Sequence, residues 1–159
     1  MTIDDKQLSG AALDALMRNE RVRLHADIWP AATAGSAALG VALVALMWPV
    51  IPGLTLLGWL SGLCVVLAAR VAVGVAQRRS GAIGQNAVAW IGRYRIVSAM
   101  HGLAWASASV LMFPGLEQAH QTFLVFAVTG ICVSSLSAYA FDIRAPLLFC
   151  LPALSTLAF

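Results

Sequence analysis

Between Tyr94 and Tyr139 the chain runs apolar, then briefly polar, then apolar again. The first arm is Arg95–Phe113, the second Thr122–Phe141, and the polar link between them starts at Pro114. Small residues recur every four positions on both arms: Ser98, Gly102 and Ala106 on the first, Gly130, Ser134 and Ala138 on the second. Few structures remain open to such arms. In lipid every backbone N–H and C=O needs an internal partner, and a helix supplies its own. About 20 apolar residues rising ~1.5 Å each then cross the ~30 Å hydrocarbon layer. The pattern predicts two antiparallel transmembrane helices in their closest contact through these small faces.

The flanking sequence extends the same reading. The 159 residues are 60% hydrophobic and only 11% charged, with mean hydropathy +0.85; a soluble domain carries about 25% charge. The expectation is an all-α integral membrane bundle with five transmembrane segments, near 28–48, 54–76, 96–113, 121–141 and 146–159, the fifth truncated. Residues 1–27 form a separate cytoplasmic amphipathic segment. There Ser9 is placed to cap a helix carrying Leu13, Leu16, Met17 and Leu24 at three-and-four spacing. Residues 28–159 form the transmembrane domain. Asp27 is expected to cap its first helix, with Pro30 in the first turn and Trp29 and Trp48 at the two interfaces. That helix follows a charged leader and is too long for a cleaved signal. The fifth segment spans roughly 21 Å, short of the ~30 Å required, so the chain is expected to be the first part of a longer protein.

Orientation follows from the ten basic residues. With the N-terminus inside, Arg21, Arg23, Arg78, Arg79, Arg93, Arg95 and Arg144, together with Lys6, Arg18 and Arg70, all fall at or near the cytoplasmic side, as the positive-inside rule requires. Arg70 is expected to snorkel to that interface. The net charge of +3 therefore reads as topology and not as a nucleic-acid surface.

Chemistry-bearing residues are sparse. No catalytic motif is present, and no catalytic residue, metal ligand or cofactor is assigned. Cys64, Cys132 and Cys150 sit in apolar runs without metal or disulfide spacing and read as buried small hydrophobes. His101 stands out, since ionisable residues within the membrane are functional candidates by default. Hairpin register places it beside Ser134, Ser135 and Ser137. It serves there as a neutral hydrogen-bonded joint between helices, as a ligand or proton sensor, or as a metal or haem ligand. His25 lies inside and His120 outside, so a haem at His101 would need a second protomer. Trp105 reads as packing or as a pocket wall. Gly58 and Gly62 form a G-x-x-x-G pair that often marks close helix contact. Glu117 and His120, in the outer link, read as solvated loop residues or as a site sensing external pH.

Several short motifs resemble the multi-helix N-terminal membrane regions of bacterial GGDEF/EAL signalling proteins and sensor histidine kinases. They are Arg21-Val-Arg-Leu24, Leu46-Met-Trp-Pro49, Trp90-Ile-Gly-Arg-Tyr-Arg95, Gly102-Leu-Ala-Trp105, Leu111-Met-Phe-Pro114, His120-Gln-Thr-Phe-Leu124 and Ala145-Pro-Leu-Leu-Phe-Cys-Leu-Pro152. The resemblance implies a sensory and anchoring region in the bacterial inner membrane that works as a homodimer. A diguanylate cyclase, cyclic di-GMP phosphodiesterase or histidine kinase would come after it in the chain, and the signal ligand is unknown. A transporter fragment and a stand-alone membrane scaffold are the alternatives.

Overall fold

The computed structural model describes residues 10–80, 83–113 and 118–156. It contains five α-helices: α1 Gly10–Met47, α2 Gly53–Ser80, α3 Ile83–Met112, α4 Gln118–Ala138 and α5 Arg144–Ser155. No strand occurs among the described residues. Ser9, Lys6, Glu117 and the start of the outer link lie outside them.

Three stretches are long and apolar enough to cross a membrane: Ala12–Met47 of α1, all of α2, and α4. The other two helices fall outside that set. The described part of α3 is interrupted by Arg95, Ser98, His101, Ser107 and Ser109, and α5 is only 12 residues long. The outer surface carries many exposed large apolar side chains, among them Leu54, Val65, Leu103, Val110, Phe126, Val133 and Leu151. In water such a surface is a liability; against acyl chains it is the expected one.

The first helix differs from expectation. Residues 10–47 form one continuous helix, so Asp27 lies within it and caps nothing. Pro30 is an internal proline. It has no N–H to give the carbonyl four residues earlier, and that carbonyl, Ala26 O, instead accepts a hydrogen bond from Arg78 Nη2 at 2.9 Å. The helix survives its proline because a neighbouring helix supplies the missing donor. The same guanidinium lies over the Trp29 ring at 5.4 Å, and Gly74 leaves room for that indole.

A smaller apolar cluster joins Val22, Ala87, Trp90 and Ile91, and the main one is built on Leu43, Met47, Leu56, Trp59, Leu63, Trp105, Met112, Leu124, Val128 and Phe149. Its central element is α3, which packs against every other helix, most extensively against α5 and least against α4. The expected α3–α4 seam is therefore not the tightest contact. Gly102 instead meets the backbone of Phe149 in α5, close enough that no side chain fits there. Across the pair, a Cβ on Gly130 would meet nothing within 4 Å. The short link Tyr139–Ile143 explains the exchange, because it folds α5 back against α3 and α4 together.

Gly58 and Gly62 also depart from expectation. Both are exposed and a Cβ on either would meet nothing within 4 Å. They border an open groove with Trp59, Met100 and Leu103. Close α1–α2 packing falls at Gly40, where a Cβ would lie 2.7 Å from Leu63 Cδ2.

Candidate functional site

A half-open cavity of about 390 Å³ lies between α1 and α4. Ile28, Ala31, Ala32, Gly35 and Leu39 of α1 form one wall, and Gly130, Ile131, Ser134, Ser135 and Ala138 of α4 form the other. Ser36, Arg70, His101, Tyr139 and Phe149 complete the lining. The helical spacing 28, 31, 32, 35, 39 is one face of α1, and its small residues leave the space that larger ones would fill.

The polar part of the lining is an ordered network. Arg70 Nη1 lies 3.0 Å from His101 Nδ1, and His101 Nε2 lies 2.8 Å from Ser36 Oγ. Trp105 Nε1 is 3.2 Å from both Ser36 Oγ and His101 Nε2. A guanidinium can only donate, so Nδ1 of His101 accepts and the imidazole is neutral with its proton on Nε2. That N–H donates to Ser36 Oγ. Trp105 Nε1–H then has the serine oxygen as its acceptor, since protonated Nε2 offers no lone pair. Ser36 receives two hydrogen bonds, and its own hydroxyl proton is free to turn to the cavity.

Arg70 is 8% exposed, which corrects the snorkelling expectation. Its guanidinium sits over the Tyr139 ring at 5.4 Å and bonds a histidine within the bundle. It has no carboxylate partner among the described residues. Burying an arginine is costly unless it is well bonded, and here a neutral imidazole and a ring face do the bonding.

A second cluster sits at the end of the bundle. Asp142, 3% exposed in the α4–α5 link, accepts Arg95 Nη2 at 2.7 Å on Oδ1 and Arg95 Nε at 3.1 Å on Oδ2. His25 Nε2 lies 3.5 Å from Oδ2. The imidazole is boxed by Tyr94 at 4.8 Å, Tyr139 at 5.2 Å and Phe141 at 4.9 Å between ring centroids. Burial works against the charge of Asp142, but the hydrogen bonds and positive charge of Arg95, with His25 assisting, hold its carboxyl below the usual range. His25, Arg70, Tyr94, Ser98 and Tyr139 line a small space between the two clusters.

The expected site residues are thus redistributed. His101 lies in the cavity, and Ser134 and Ser135 line it, but its hydrogen-bond partners are Ser36 and Arg70 and not the α4 serines. The Ser134 hydroxyl donates to its own helix at Gly130 O, and Ser137 is exposed outside the cavity. Trp105 is fully buried behind His101, edge-on to Trp59 at 5.5 Å, so it packs and does not line. Ala106 is buried and Gly130 and Ala138 line the cavity wall. Among the basic residues, Arg78 joins α2 to the middle of α1 and Arg95 joins α3 to the α4–α5 link. Arg93 lies over Trp90 at 4.4 Å, and Arg23 makes loose exposed pairs with Glu20 and Asp27. Arg21 is half-buried, and Arg79 and Arg144 are exposed. Cys64 is exposed on the apolar surface, whereas Cys132 and Cys150 are buried, all three as free thiols. Among the described residues no group of His, Cys, Asp and Glu could hold a metal ion.

Sequence reasoning missed Ser36, Arg70, His25, Tyr94, Tyr139 and Asp142 as site residues. Arg70 was visible as a charge within an apolar stretch; the serine and the tyrosines carried no signal. What these features define is a helical bundle with an apolar exterior and a polar, half-open internal site. No protein-family model matches the chain, and no curated protein or solved structure matches it either.

Proposed function

We propose that the chain is the membrane-embedded sensory and anchoring region of a bacterial signal-transduction protein. It has five membrane-inserted helices in the inner membrane, its N-terminus inside, and works as a homodimer. The output module beyond it is a diguanylate cyclase, a cyclic di-GMP phosphodiesterase or a histidine kinase. The observation that carries the sensory part is the cavity: α1, α2, α3, α4 and α5 each contribute to its lining, with Tyr139 just beyond α4. A ligand shifts a conformational equilibrium only by its differential affinity for the two states. A site shared among all the helices gives such a ligand purchase on how they pack. The placement of Arg78 and Arg95 near the α4–α5 link and His25 supports the orientation, because an excess of Lys and Arg marks the cytoplasmic side.

The test uses the full-length gene product in native membrane vesicles. Cyclic di-GMP turnover or autophosphorylation is compared between the wild type and Gly130→Leu, which occupies the cavity. Altered output with unchanged membrane abundance supports a sensor. Unchanged output, or a coding sequence that continues into further apolar repeats with no soluble module, overturns it.

A further inference from the structure

The cavity between α1 and α4 has a chemical bias that its geometry alone does not convey. Its walls are mostly alkyl and small side chains, and the linked polar groups Arg70, His101 and Ser36 present donors to it. Arg70 can only donate. His101 has both ring nitrogens engaged, one accepting from Arg70 and the other donating to Ser36. Ser36 already accepts from His101 and Trp105, so what it has left to offer is its hydroxyl proton. Arg70 carries a full positive charge with no carboxylate partner among the described residues and is more than nine-tenths buried. On the far wall the Ser134 hydroxyl does not change this balance, since it donates to Gly130 O.

An unneutralised guanidinium beside apolar walls selects for a group that brings negative charge and tolerates lipid. The cavity is about half open, and the two helices that form its main walls, α1 and α4, carry exposed apolar side chains such as Val41, Phe126 and Val133. Its volume, about 390 Å³, is at the low end of the roughly 300–1,000 Å³ typical of small-molecule pockets, suited to one alkyl chain and not to the two of a phospholipid. We propose that the Arg70–Ser36 pocket binds a single-tailed amphiphile with an anionic head: the head receives hydrogen bonds from Arg70 and Ser36, and the tail lies along Ile28, Gly35, Leu39 and Ile131. The proposal gives the sensory reading a ligand class and rests on that reading only for the response to binding. Binding itself is measured on the chain without any output, so either idea can fail while the other stands.

The experiment is equilibrium dialysis of radiolabelled decanoate against the purified chain in nanodiscs of zwitterionic lipid. Empty nanodiscs correct for partition into the bilayer. Decanoate should bind saturably at one site per chain. Decanol, with the same tail and no charge, and acetate, with the head and no tail, should each compete at least about tenfold more weakly. Arg70→Gln should weaken binding by about tenfold or more. Because that variant removes a buried partner of His101, two wall variants accompany it. A Cβ at Gly35 or at Gly130 meets nothing within 4 Å, so Gly35→Leu and Gly130→Leu fill the cavity without touching the polar network and should abolish saturable binding while the chain stays folded. The proposal is overturned if decanol competes as well as decanoate, if both leucine variants bind normally, or if phosphatidylglycerol displaces decanoate at equal mole fraction.

Discussion

Asp142 is the residue whose removal should cost the bundle most for the fewest atoms changed. It sits in the five-residue link between α4 and α5 and holds Arg95 of α3 through two hydrogen bonds, at 2.7 and 3.1 Å. Asp142→Asn keeps the shape but deletes the charge and turns one acceptor into a donor facing a donor. Charge-assisted hydrogen bonds contribute about 1.5–3 kcal/mol each. Arg95 is 23% exposed, so water and screening take back part of that, and hydrogen bonds in membrane bundles average nearer ~0.6 kcal/mol. The balance gives a loss of about 2 kcal/mol. The assay is reversible unfolding in mixed detergent micelles, observed through tryptophan emission, for Asp142→Asn, Arg95→Gln and the double variant. The pair should couple by about 1–2 kcal/mol in the cycle. Acidification should report the same interaction. The folded carboxyl titrates below the unfolded one, so its contribution is complete above roughly pH 4 and is lost as pH falls through the folded value. The wild type should lose stability across that acid window and Asp142→Asn should show a shallower decline. A cycle that closes to within ~0.3 kcal/mol of additivity, or identical acid profiles, would refute the clamp.

Three other outcomes can be checked in the same unfolding assay. Gly102→Ala drives a Cβ into the Phe149 backbone and should cost about 1–3 kcal/mol, whereas Gly62→Ala, in open space, should be neutral or gain about 0.5–1 kcal/mol from helix propensity. Pro30→Ala returns an N–H to the Ala26 carbonyl; Arg78→Met should then cost about 1 kcal/mol in the wild type and close to nothing in the Pro30→Ala background. His101→Leu strands the Arg70 guanidinium and should cost about 1–3 kcal/mol, while adding Arg70→Met should cost less than the sum of the two single changes, because it removes the stranded group.

The helical character of the chain and its apolar exterior are legible because they are properties of composition and length. Runs such as Leu54–Ala69 can satisfy their backbones in lipid only as helix, whatever they pack against. The positions of the breaks were less legible. Asp27 and Pro30 carry the local marks of a helix start, and α1 runs through both, because Arg78 supplies the hydrogen bond that Pro30 withholds. That rescue comes from a residue 52 positions away in sequence, and no local window contains it. Gly102 and Gly130 show the same limit in packing. Each belongs to a stripe of small residues at four-residue spacing, yet of the two only Gly102 is pressed against another backbone, because the turn at Asp142 lays α5 and not α4 along that face.

Arg70 departs furthest from what its own helix dictates. In an apolar helix an arginine on the side of the polar end satisfies itself most simply by reaching for the interface, and nothing within α2 opposes that. What turns it inward lies on other elements: the His101 Nδ1 lone pair on α3 and the Tyr139 ring beyond α4. His101 can offer that lone pair because Ser36 on α1 takes its Nε2 proton. The protonation state of one residue and the direction of another are therefore fixed jointly by four elements, and the bundle obtains a buried charge that no acid among the described residues neutralises. Stability alone gives no reason to keep such a charge, since an apolar residue of similar volume is often as good or better. An anion entering between α1 and α4 would supply the missing partner, and that makes the cavity the place to look for a signal.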